Sequence, residues 1–142
     1  MVRQATQRYC REMHLDHTRP LMMLWPLDET ATCLCGDCNI AKGGKSPSIY
    51  YNRRKLKQLS SITGLSMAEL ADSGPNEGVI DFIEDNQNWF FDKFLTIPRM
   101  QRVHDEKVEG EQLVKALNKP FAASKKRRID IIAEYNKRRM SF

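Results

Sequence analysis

DHTRPLMMLWPLDETATCLCGDCNIAKGGK, residues 16–45, is the stretch whose reading decides this chain. It opens on a carboxylate beside an imidazole, Asp16 and His17, and closes on CxxCNxxK, with Cys35, Cys38, Asn39 and Lys42 at short spacings. Asp16 is a hard oxygen ligand of the kind Mg²⁺ prefers, and Asn39 offers a neutral oxygen. His17 supplies an imidazole, the side chain that most often serves as a general base. A general base must stand beside a metal ligand without being consumed as one, so that the water it deprotonates lies against phosphorus. This set of residues suits metal-assisted phosphodiester hydrolysis.

Local structure follows from the same stretch. Adjacent residues on a strand point to opposite faces, so Asp16 and His17 divide two jobs only at a strand end or a bend. Pro20 marks such a break. Residues 30–34 read as a short strand, and residues 35–42 as one or two helical turns ended by Gly43 and Gly44. The order is strand, long loop, strand, helix. His14 shares the Asp16 face; it reads first as a half-exposed strand histidine and second as another approach to a cation.

These residues resemble the HNH nucleases, whose core is the small ββα-metal, or His-Me finger, fold. The likeness rests on DHxxP (Asp16, His17, Pro20) and CxxCNxxK (Cys35, Cys38, Asn39, Lys42), and covers residues 9–48. NRRKLKQLSSITGLSMAEL and NEGVIDFIEDNQNWFFDKFL look more loosely like the helical segments of restriction-type HNH endonucleases. The resemblance implies that Asp16 and Asn39 hold Mg²⁺, or Mn²⁺ in its place, while His17 activates water and a 5′-phosphate results. Thr30 stands where the family usually has an Asn that braces the loop and orients the base; a threonine donates one hydrogen bond and lacks the two-ended amide. Arg19 and Lys42 are the phosphate contacts nearest the motif. A duplex cutter needs two centres, which makes a homodimer on double-stranded DNA the expected working form. A non-catalytic DNA-binding module and a helical scaffold protein are the alternatives.

The four cysteines, Cys10, Cys33, Cys35 and Cys38, have two readings. They form a thiolate cage around structural Zn²⁺, or they pack as small hydrophobes. A disulfide framework is a poor explanation without a signal peptide, and MVRQATQRYC lacks the apolar segment of one. A cytoplasmic protein is expected. With 142 residues and 41% hydrophobic residues, the expectation is one folded domain, residues 1–142, with a nuclease motif at 9–48 and a helical extension at 49–142 for DNA contact or dimerisation. The fold class is α+β, mostly α. No apolar run is long enough to span a bilayer.

A net charge of +5 favours a polyanionic partner. One basic cluster, Lys42, Lys45, Arg53, Arg54, Lys55 and Lys57, flanks the motif and is the preferred DNA contact. The other, Lys125, Lys126, Arg127, Arg128, Lys137, Arg138 and Arg139, reads equally as solvated surface. Tyr50 and Tyr51 beside the first cluster read as core before they read as stacking platforms. Farther along, Ser66 and Glu69 form a capping box, and Asn86 to Asn88 interrupt two helices bearing Val79, Phe82, Ile83, Phe90, Phe91 and Phe94. An amphipathic helix is expected over residues 99–117, stopped by Pro120, with Ser124 capping a last basic helix. His104 falls in that stretch and is assigned no role.

Overall fold

The computed structural model describes residues 12–126 and 128–141. The fold is α+β and mostly α, with two small antiparallel sheets. The chain divides into two compact units, one of residues 12–21 and 25–73, the other of residues 22–24 and 74–141 apart from residue 127.

In the first unit, β1 (Met13–Asp16) pairs antiparallel with β2 (Thr32–Cys35), matching His14 to Leu34 and Asp16 to Thr32. A short helix, α1 (Gly36–Lys42), follows directly. Cys35 starts it, its Sγ accepting from the Cys38 amide at 3.3 Å, and Gly43 ends it at φ +51°, a backbone state that costs glycine least. The bounds of β2 lie within two residues of the expected 30–34, because β-branched and apolar residues at a turn boundary carry a local signal that survives packing.

Helices α2 (Pro47–Tyr50), α3 (Arg53–Thr63) and α4 (Met67–Ala71) complete this unit. Asn52 caps α3, accepting from the Lys55 amide at 2.9 Å. The capping box forms at α4, with the Ser66 amide donating to Glu69 and the Glu69 amide donating to Ser66 Oγ. Their core is small: Leu59, Leu65 and Leu70, with Tyr51 and Leu56 packed against it.

The second unit has the larger core, in which Ile80, Ile83, Phe90, Phe91, Leu95, Val114, Leu117, Phe121 and Ile131 interlock. They come from α5 (Glu77–Asp85), α6 (Gln87–Asp92), the 3-10 turn that follows it, α7 (Glu109–Ala123) and α8 (Ile131–Arg139). Each fully buried side chain of this size contributes about 1.5–3 kcal/mol. Asn86 divides α5 from α6, as the Asn run implies.

Residues 99–117 depart from the single expected helix. Residues 103–108 instead form a hairpin, β3 (Val103–His104) with β4 (Lys107–Val108), turning on Asp105 and Glu106 at positive φ. Only from Glu109 does the helix begin, and it passes through Pro120 for one more turn. Proline forfeits one backbone bond there, and its ring and the next residue, Phe121, are buried, so packing outweighs the loss. Ser124 does not cap the last helix. It ends α7 and donates to Glu77, while Asp130 caps α8 by accepting from the amides of Ile132 and Ala133.

Candidate functional site

The ordinary rule for a surface sheet is apolar inside and polar outside, and β1 inverts it. Met13 and Leu15 are 65% and 58% exposed, whereas Asp16 is 5% exposed. Helix α1 does the same: Ile40 is 78% exposed and Lys42 only 1%. The two elements therefore meet through their polar faces. Lys42 Nζ lies 2.9 Å from Asp16 Oδ2, and it donates to Asp16 Oδ1 at 3.1 Å and to the His17 carbonyl at 2.8 Å. One residue pair along, Asn39 Nδ2 stands 3.5 Å from His14 Nδ1. The spacing of two on the strand and three on the helix makes these pairs face each other in parallel.

His17 is half-buried at the strand end, and its ring has no hydrogen bond or ion pair among the described residues. Its backbone is held firmly. Lys42 fixes its carbonyl, and next to it the buried Thr18 donates through Oγ1 to the Thr30 carbonyl. Thr30 spends its own side chain within the loop: its hydroxyl and amide donate to Asp28 Oδ1 at 2.6 and 2.9 Å. Those bonds hold the Asp28 carboxyl below its usual range. The loop brace thus runs through Thr18, Asp28 and the Thr30 backbone. Arg19 is engaged as well, 3.8 Å above the Trp25 ring and 3.7 Å from Glu69.

Behind Asp16 stand two tyrosines in edge contact, with ring centres 4.8 Å apart. Burial pushes the Tyr51 phenol well up, and the nearby Asp16 carboxylate, Tyr50 and Cys38 add to the shift. Burial also raises Tyr50, which hydrogen-bonds Cys38 and senses Cys35 and Asp16. The pair was expected as core before stacking platform, and both rings are half-buried; what the sequence did not place was their position beside Asp16 and Cys38. Sequence reasoning missed Thr18, whose signal was only its position after the DH pair.

Among the described residues no three His, Cys, Asp or Glu side chains gather to hold a metal. Cys33 is exposed on the outer sheet face with Met13 and Leu15, while Cys35 and Cys38 adjoin in the first turn of α1. Cys10 lies outside the described residues.

The basic clusters differ in their partners. Arg53, Arg54 and Lys57 are exposed on α3 and Lys55 is half-buried there, and none has an acidic partner among the described residues. Lys45 donates to the Ala41 carbonyl at 3.2 Å. The terminal arginines are already spent: Arg128 on Glu84 and Asp85, Arg138 on Glu134 and Asp92, Arg139 on Glu111. Arg127 lies outside the described residues. His104 is exposed on β3, 3.5 Å from Asp105.

The chain matches no family model, no curated protein and no solved structure.

A hard divalent cation can be tested against the residues themselves. Asp16 Oδ2 is buried without a hydrogen bond of good geometry, and the Asn39 amide oxygen has no hydrogen bond among the described residues. Both are oxygen donors of the type Mg²⁺ and Mn²⁺ take. The donor set fits. No helix among the described residues is long and apolar enough to cross a membrane.

Proposed function

We propose that this protein is a divalent-metal-dependent DNA endonuclease of the HNH type, hydrolysing phosphodiester bonds in double-stranded DNA. The observation that carries the reading is the inverted ββα unit, which exposes Met13, Leu15 and Ile40 in order to face His14 and Asp16 toward Asn39 and Lys42. Polar faces turned inward on two elements at once break the usual local pattern, and proteins keep such breaks at functional sites.

Asp16 and Asn39 would hold Mg²⁺ or Mn²⁺. When bound, the cation supplies positive charge against the phosphate oxygens and the leaving oxygen. His17, with a free ring and a fixed backbone, takes the proton from the attacking water. The α3 cations Arg53, Arg54 and Lys57 hold backbone phosphates, setting register without reading bases. Arg19 and Thr30 act through the loop, one by clamping Trp25 and Glu69, the other by closing the Asp28 turn. Cutting both strands requires a homodimer or two successive encounters.

The test is cleavage of supercoiled plasmid in Mg²⁺ or Mn²⁺. His17→Ala should lower cutting by at least about 100-fold while DNA affinity stays within about twofold. A variant that cuts at the parent rate overturns the assignment of the base. One observation favours a second reading, a non-catalytic DNA-binding module: Asp16 is already neutralised by Lys42. Salt-dependent DNA binding with no cleavage in either metal selects it.

A further inference from the structure

Lys42 is the least expected component of the candidate centre. An ammonium that is 1% exposed is stable only with its charge answered, and here the Asp16 carboxylate and one backbone carbonyl answer it. With Lys42 in place the carboxylate's charge is cancelled, and Asn39, the other oxygen donor, is neutral. A divalent ion bonded to either Asp16 oxygen, at about 2.1 Å, comes within about 5 Å of Nζ. At that separation and burial, like charges repel strongly.

Resting on the metal-dependent reading above, we infer that Lys42 is an internal counter-cation which competes with the divalent ion for Asp16, so that cation occupancy waits on a nucleic-acid phosphate. The phosphodiester brings the negative charge that the centre lacks once Lys42 has cancelled Asp16. Metal and DNA then bind cooperatively, and reciprocity requires each to tighten the other by the same factor. Without DNA the ammonium keeps the carboxylate neutralised and the strand and helix together. Positioning reinforces the competition: Lys42 is the last residue of α1, one helical turn from Asn39, so the ammonium and the amide oxygen are carried on one rigid element.

Mn²⁺ binding to the full chain, followed by the electron paramagnetic resonance of the free ion, tests the inference in two ways. In the first, Lys42→Met removes the charge and keeps most of the volume. The variant should bind Mn²⁺ tighter than the parent by roughly 5- to 150-fold without DNA, and Lys42→Arg should stay parent-like. In the second, which needs no change at Lys42, a short duplex added to His17→Ala should tighten Mn²⁺ by a factor in the same range, about 5- to 150-fold. Apparent melting of Lys42→Met without metal should fall by about 10 °C and recover with Mn²⁺. A Lys42→Met chain that binds Mn²⁺ no tighter, or a duplex that leaves Mn²⁺ affinity unchanged, overturns the inference even where the parent cuts plasmid. Absence of Mn²⁺ binding in every chain, with and without duplex, removes the metal centre itself and this inference with it.

Discussion

At Asp16 a buried carboxylate meets a buried ammonium, and an ion pair so placed is conditional on both partners. Removing one leaves the other charged and desolvated. Asp16→Ala should therefore destabilise the first unit by about 3–5 kcal/mol, and the double variant Asp16→Ala/Lys42→Met should recover most of that loss. Urea denaturation of the four chains, read as a double-mutant cycle, checks it; equal losses in single and double variants would show that the pair is not what holds β1 to α1. Tyr51 gives a second residue-scale expectation. Its folded phenol titrates above its unfolded value, chiefly because it is buried, so its contribution to stability is complete below the unfolded pKa of about 10 and is lost as pH rises beyond it. Absorbance at the phenolate band should show a tyrosine that ionises only together with alkaline unfolding, and Tyr51→Phe should remove that coupled step.

Elements differ in how far their residues announce them. The DH pair marks only that a strand ends there, whereas the CxxCN run and Gly43 place β2 and α1 to within two residues, since each boundary is set by a local preference. The same holds for the Ser66 box and for the Asn86 break. Pairing across the site was not legible. Lys42 reads as a phosphate contact by type and sits instead on Asp16, because only the register of His14 with Leu34 and the turn of α1 decide what it faces. The hairpin at residues 103–108 was hidden for a related reason: Val103, Leu113, Val114 and Leu117 fit a helical spacing, and the one local turn signal is Asp105, a residue type that tolerates positive φ. Gly110 settles the helix start through packing. A Cβ there would meet the Met100 carbonyl at 3.1 Å, and that carbonyl also accepts the Gly110 amide at 2.7 Å, so it cannot retreat without breaking the bond. Gly110→Ala should therefore cost about 1–3 kcal/mol despite the better helix propensity of alanine. A rise in denaturation midpoint would show that residue 100 gives way freely.

Across the whole molecule, net charge predicts less than the partners of each charge. The chain carries +5, yet the terminal arginines are committed to Glu84, Asp85, Asp92, Glu134 and Glu111. Glu84 is buried, so Arg128 supplies stability there more than it supplies field to a ligand. On α3 the balance is opposite, for Arg53, Arg54 and Lys57 reach solvent without an acidic partner among the described residues. Counterion release depends on charges free to meet phosphates, and each such contact adds about 0.9 to the slope of log affinity against log salt. Replacing Arg53, Arg54 and Lys57 together by Gln should flatten that slope by roughly 2 to 3. Arg128→Gln with Arg138→Gln should leave the slope within about 0.5 and lower the melting temperature instead. Fluorescence anisotropy of a labelled duplex over a salt series, beside thermal melts of the same chains, separates the two roles. If the terminal pair flattens the slope and the α3 triple does not, DNA is held on the second unit and the α3 face is ordinary solvated surface.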